Sequence, residues 1–152
     1  MERKEKEIKD SAEIAAVIRK ADICRLALSV DNRPYIVPLN FGFDGDCLYF
    51  HTAQAGKKID MIRQNAAVCF ELEAGCGLVR AETPCDWSMT YQSVVGYGTA
   101  SLLKGAEEKR RALDVIMEHY SGRPGQYPDR LVDRLAIIRV TIQSMTGKRS
   151  GN

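Results

Sequence analysis

The chain has 152 residues, 45% hydrophobic and 28% charged, the composition of one soluble globular domain, which excludes disordered and fibrous classes. Its 22 basic and 20 acidic residues are mixed along the sequence, so the net charge of +2 gives no broad field for a nucleic-acid backbone. No run approaches the roughly 18 to 20 apolar residues of a membrane helix, and Met1 to Asp10 lacks the apolar stretch of a secretory signal. A single cytoplasmic domain over residues 1–152 is expected, with residues 1–10 as a flexible tail and neither membrane nor nucleic acid as partner.

Ser11 is the expected cap of a lead-in helix in which Ile14, Ala15, Val17 and Ile18 recur at helical spacing up to Ala21. From Ile23 to Val30 the period changes to two, with Cys24, Leu26, Leu28 and Val30 on one face, and Asp31-Asn32-Arg33-Pro34 supplies a turn. A second strand runs from Tyr35 to Phe43, with Tyr35, Val37, Leu39, Phe41 and Phe43 alternating and Pro38 within it, and closes at Asp44-Gly45-Asp46. Cys47 to Thr52 makes the third. Gly56-Lys57-Lys58 opens a helix carrying Ile59, Ile62 and Ala66, with Asn65 at its end.

Ala67 to Glu73 is the fourth strand, and Gly75 to Trp87 reads as a turn or irregular excursion. Strand character resumes from Tyr91 to Leu103, where Gly96 and Gly98 suggest a bulge. Glu107 to Tyr120 is the clearest helix, with Leu113, Ile116, Met117 and Tyr120 on one face, stopped by Ser121-Gly-Arg-Pro-Gly. A last strand, Leu135 to Met145, ends at Thr146-Gly147-Lys148. Six strands and three helices predict a β-rich fold, a closed barrel with peripheral helices, not a doubly wound sheet.

Five cysteines without a CxxC pair fit a reducing compartment. Cys24, Cys47 and Cys69 read as small buried hydrophobes in strands. Cys76 and Cys85 have only His51 and His119 as histidine co-ligands, so no metal site is expected.

The segments Tyr35-Ile-Val-Pro-Leu-Asn-Phe, Leu48-Tyr-Phe-His-Thr, Ala55-Gly-Lys-Lys-Ile-Asp-Met, Tyr91-Gln-Ser-Val-Val-Gly-Tyr-Gly and Met145-Thr-Gly-Lys, in this order and spacing, resemble the pyridoxamine 5'-phosphate oxidase-like superfamily, within it the group associated with nitroimidazole-resistance proteins. The resemblance runs from about Asp22 to Lys148. It implies a six-stranded FMN-binding split barrel that forms a homodimer with flavin at the subunit interface. It places the flavin phosphate at Gly56, Lys57 and Lys58, where a helix N-terminus offers unpaired N–H groups and partial positive charge; an ordinary helix start with solvated lysines is the alternative. It sets Val37, Pro38, Leu39 and Asn40 along the isoalloxazine, Phe50, His51 and Thr52 against flavin and ribityl groups, and Ser93 at the phosphate or ring. Tyr91 is a cofactor contact or a packing residue, and Lys148 a ligand cation or a solvated tail residue.

His51, whose side-chain type titrates near neutrality, is the one candidate catalytic group, as a proton donor; a hydrogen-bonded structural histidine is the other reading. The arginine-rich C-terminal signature of true pyridoxamine-phosphate oxidases is missing, which disfavours that activity. The expected function is a flavin-dependent oxidoreductase that passes electrons from a small-molecule donor to a small acceptor such as a nitroaromatic, with no GxGxxG motif for the donor. The alternative is a non-catalytic protein holding FMN, FAD, a deazaflavin or haem, with His51 as a possible axial ligand in the haem case.

Overall fold

A computed structural model describes residues 3–151. Five of the six expected strands are present as single strands, the expected strand from Tyr35 to Phe43 breaks at Asn40 and Phe41 into two, and a two-residue strand is added before the first helix. In chain order the strands are β1 (Glu7–Ile8), β2 (Cys24–Val30), β3 (Arg33–Leu39), β4 (Gly42–Phe43), β5 (Cys47–Ala53), β6 (Ala67–Val79), β7 (Ser88–Leu103) and β8 (Leu135–Ser150). The α-helices are α1 (Ser11–Lys20), α2 (Lys57–Gln64), α3 (Ala106–Ser121) and α4 (Asp129–Arg134).

All strand pairs are antiparallel, and the sheet runs β3-β2-β6-β7-β8-β5-β4. Its two terminal strands, β3 and β4, are joined by only Asn40 and Phe41. Two residues of extended chain reach about 10 Å between their flanking Cα atoms, so the ends of the sheet lie side by side and the sheet is rolled into a barrel. The ring is closed there by covalent chain and not by a ladder, which makes it a split barrel.

Period-two alternation fixes the inside. Cys24, Leu26 and Leu28 of β2, Phe70 and Leu72 of β6, Val94 of β7, and Ile138 and Val140 of β8 are buried together. Helix α1 adds Ile14, Val17 and Ile18 to this core and α2 adds Ile59 and Ile62. A second cluster, Leu103, Ala112, Leu113, Val132 and Ile137, packs α3 and α4 on the outside of β7 and β8.

Several boundaries differ from expectation for local reasons. The cap of α1 is Asp10, whose carboxylate accepts from Ala12 N at 3.1 Å, one residue before Ser11. Asp31 and Asn32 both have positive φ, 52° and 60°, the two-residue hairpin geometry that short polar side chains tolerate, so β3 begins at Arg33. Residues 7 and 8 are not tail: Glu7 and Ile8 pair with Lys148 and Gly147, and Ile8 is buried.

Gly75 to Trp87 is not an irregular excursion either. β6 continues to Val79 through a register shift between Ala74 and Gly77, turns, and returns as β7 from Ser88, making a hairpin arm. β8 likewise runs past Met145 to Ser150 because β7 supplies a partner for each added residue. The shift expected near Gly98 falls between Tyr97 and Gly98, and Gly96 is required because the Phe70 ring occupies the place of a Cβ.

Of the strand cysteines only Cys24 is buried, where desolvation drives its thiol pKa up and keeps it inert. Cys47 and Cys69 are half-buried.

Candidate functional site

The seam of the barrel is where backbone remains open. Among the described residues β3 is paired only with β2, and β5 beyond Tyr49 has a partner only on its β8 side. In an antiparallel ladder alternate residues turn N–H and C=O together toward the partner, and a proline is tolerated where those groups turn away. Pro34, Ile36 and Pro38 share that parity. The open edge of β3 therefore presents three carbonyls and a single N–H, that of Ile36.

Val37 and Leu39 point inward and are half-buried against the core, whereas Pro38 and Asn40 are exposed. Phe50 lies wholly within the core, so what it can offer a ligand is backbone. Thr52, half-buried, follows Leu48 and Phe50 on the inward face of β5. His51 is exposed on the opposite face, in register with Ile137, on the side of Tyr49 and Arg139.

Helix α2 begins beside this seam. Gly56 has φ of 137°, a conformation that L residues rarely adopt, and a Cβ there would meet nothing within 4 Å. No side chain caps the helix, so its first N–H groups are open. Lys57 sets its ammonium 4.3 Å from the centroid of the Tyr35 ring, a cation–π contact that joins α2 to β3. Among the described residues neither Lys57 nor Lys58 has an ion-pair partner. The Lys57–Tyr35 contact thus sets the start of α2 beside β3, and Thr52 stands on the inward face of β5 across the seam. Tyr35 was not singled out from sequence; its place two residues before Val37 on the same face was the available signal.

Tyr91, Ser93 and Lys148 form a different group. Ser93 and Lys148 are paired across β7 and β8, and the Lys148 ammonium is 5.9 Å from the Tyr91 ring centroid. Thr52 is paired with Ala136 near the other end of β8. The stretch from Ala136 to Lys148 is about 40 Å of extended chain, so the two groups are widely separated within one chain.

Between them lies the outer face of the sheet. One row across it reads Ile36, Ala27, Cys69, Tyr97 and Ser144; the next reads Pro38, Arg25, Glu71, Val95 and Thr146. Ile36 is 59% and Tyr97 58% exposed. Arg25 bridges Glu71 at 3.1 Å and Glu73 at 2.6 Å. Partial burial, reinforced by the neighbouring Glu73 carboxylate, holds the Glu71 carboxyl above its ordinary value despite Arg25. The hairpin arm adds exposed Leu78, Val79, Trp87 and Met89.

The family model for pyridoxamine 5'-phosphate oxidase matches residues 10–149. The chain belongs to this family. Its backbone superposes on a proposed 5-nitroimidazole antibiotic resistance protein from Bacteroides thetaiotaomicron with a TM-score of 0.83, 36% identity, and coverage of 94% of this chain and 86% of that one. A FAD and haem binding protein from Mycobacterium smegmatis matches with a TM-score of 0.84 at 19% identity, over 97% of this chain and 74% of that one, a likeness of fold. An uncharacterised protein, RA0666 of Rhizobium meliloti, is 37% identical over 60 residues, 40% of this chain and 39% of the relative's length. The split barrel expected from sequence is thus shared with flavin- and haem-binding structures, and no helix among the described residues is long and apolar enough to cross a membrane.

Proposed function

We propose that the chain is an FMN-binding flavoprotein that works as a cytoplasmic homodimer and reduces a small acceptor of the nitroaromatic kind. The observation that carries the reading is the seam, where an open, carbonyl-rich strand edge adjoins an uncapped helix start with two unpaired lysines. An isoalloxazine carries one N–H between two carbonyls along one edge, so on β3 it can donate to one backbone carbonyl and accept from the Ile36 N–H. A phosphate suits Gly56, Lys57 and Lys58: among the described residues the two ammonium groups make no ion pair, and Asp60 is the acid of the first turn of α2. Val37 and Leu39 form an apolar wall, and Thr52 offers a hydroxyl on the same inward side.

The wide separation of the Lys57 group from Ser93 and Lys148 supports a site completed by a second copy, with the outer face of the sheet as the contact. That face carries the apolar Ile36, Val95 and Tyr97, and the hairpin arm adds the exposed Leu78, Val79, Trp87 and Met89. When bound, the flavin supplies the two-electron redox chemistry. The protein's part is to orient the ring along β3, keep water from its inner face and fix the phosphate. His51, expected from sequence as the proton donor, leaves β5 on the face opposite Thr52, so within one chain it is turned away from the ring and the proton has to come from elsewhere.

The haem- and FAD-binding relative of the same fold motivates the second reading, a non-catalytic carrier. An absorption spectrum of the purified protein separates the two: two broad flavin bands support the first, a single intense haem band the second. FMN titration by fluorescence quenching then tests the phosphate site. Lys57→Gln/Lys58→Gln should weaken FMN at least about tenfold, the order expected for losing charge-assisted phosphate bonds, while leaving riboflavin binding unchanged. Equal loss of both ligands, or no loss, counts against the assignment. Anaerobic mixing of the loaded protein with a nicotinamide donor and a nitroimidazole tests reduction; a flavin spectrum that stays oxidised speaks against the reductase.

A further inference from the structure

A cavity of about 690 Å3 opens at the other end of α2, between the end of β7, the start of β8 and the first turns of α3. It shares no residue with the flavin group. Its walls are mixed, with Ile62, Leu102 and Leu103 the main apolar residues and Gln54 and Ser101 polar, and three cations stand around it: Arg63, Lys104 and Lys109. Among the described residues no acidic side chain lines it. We propose that this cavity binds a small organic anion, a phosphate monoester or carboxylate attached to an apolar body.

The charge balance is the first argument. Among the described residues, Arg63 and Lys104 make no ion pair, and no side-chain hydrogen bond engages them. The nearest acids of α3 are turned elsewhere: Glu107 pairs with Arg111 at 3.5 Å, and Glu108 lines a separate hollow with Arg111 and Arg139. Three like charges around one concavity repel each other, and low-dielectric walls focus their field, so an anion there relieves a strain that no side chain relieves.

Lys109 is the second argument. It is only 9% exposed, and its ammonium donates to Val132 O at 3.3 Å and Leu135 O at 3.0 Å. Two carbonyls leave one of its three N–H donors free and its charge uncompensated. A buried ammonium without a counter-ion is costly, and a lysine of this kind is expected where a counter-ion arrives with a ligand. The cavity is also of ligand size, within the usual range of about 300–1,000 Å3, and its apolar residues favour an anion with a hydrophobic body over a bare ion.

The test uses phenyl phosphate as probe and calorimetry as readout, with the purified full chain free of flavin. Saturable binding is expected, weakened by added salt, at least about tenfold tighter than inorganic phosphate or benzyl alcohol. Arg63→Gln/Lys104→Gln, both exposed positions, should weaken it at least tenfold with an unchanged melting midpoint, while Lys57→Gln leaves it intact. Absence of saturable binding, equal binding by the Arg63/Lys104 variant, or loss on Lys57→Gln overturns the proposal, the last by showing that the probe sits at the flavin-phosphate group. Because Lys57 and the Arg63 and Lys104 pair are read separately, failure here leaves the flavin assignment standing, and the reverse also holds.

Discussion

Replacing Ile36 by Asp tests whether two copies build the site. Ile36 stands at the edge of the outer sheet face with 59% of its surface still exposed. Full burial of an isoleucine side chain is worth about 1.5–3 kcal/mol, so covering what remains is worth about 1–2 kcal/mol. A twofold interface counts each residue twice, which gives about 2–4 kcal/mol per dimer, or about a 30- to 900-fold rise in the dissociation constant. The introduced carboxylate lies in the row next to Glu71, whose one cation, Arg25, is already shared with Glu73, so repulsion adds to the loss. Sedimentation velocity over a dilution series measures the dimer, and FMN quenching on the same samples measures the site. The expected result is dissociation at concentrations where the wild type is dimeric, with FMN binding lost in parallel. A variant that stays dimeric on dilution, or a monomer that binds FMN as the wild type does, refutes the shared-site reasoning.

Two further predictions concern the scaffold around the seam. A Cβ at Gly42 would lie 2.6 Å from Ile116 N and Val115 C, backbone atoms of α3 that cannot yield, so Gly42→Ala should cost about 1–3 kcal/mol and lower the melting midpoint by several degrees; an unchanged midpoint would show that α3 is free to shift. Asp44 is the hinge of the β4–β5 turn. Burial acts to raise its pKa, but hydrogen bonds from Asp46 N at 2.9 Å, Cys47 N at 2.7 Å and the Tyr49 hydroxyl at 2.8 Å outweigh it and hold the carboxyl below its ordinary value. A carboxylate with a lowered folded pKa stabilises above its unfolded pKa and loses that contribution as pH falls through the folded value. Asp44→Ala should therefore cost about 1 kcal/mol at neutral pH, and the gap in melting midpoint from wild type should close in strong acid; a gap constant with pH would contradict this.

The period-two runs made the six long strands legible, because Cys24, Leu26 and Leu28, or Leu48 and Phe50, could serve only one buried face. Equally legible was α2, since Ile59 and Ile62 recur at helical spacing directly after Gly56. The hairpin arm was harder to read because Gly75, Gly77 and Pro84 carry the composition of a loop, while the pairing that makes Gly77 to Val79 a strand is supplied by Ser88 to Thr90. α4 escaped notice because six residues hold too little periodicity to stand out from the Pro124 to Pro128 segment. Nor could the outer face be read as a surface: Arg25, Glu71 and Glu73 look like ordinary solvated charges until the register sets them beside Tyr97 and Ile36. The distance between Lys57 and Lys148 likewise depends on strand order, which no local pattern contains.

The covalent closure at Asn40 and Phe41 is held from outside. Phe41 N donates to the Tyr120 hydroxyl at 3.1 Å, that hydroxyl donates to Asp22 O at 2.7 Å, and the His119 ring lies 4.3 Å from that of Phe41. A ladder has a fixed strand spacing, but a linker pinned by a helix does not. The closure of this barrel therefore rests on the side chains of α3 and not on ladder hydrogen bonds. One hydroxyl, that of Tyr120, ties the linker at Phe41 to the connection between α1 and β2 at Asp22. The continuity of the ring at this point is as firm as the seating of that helix against Gly42.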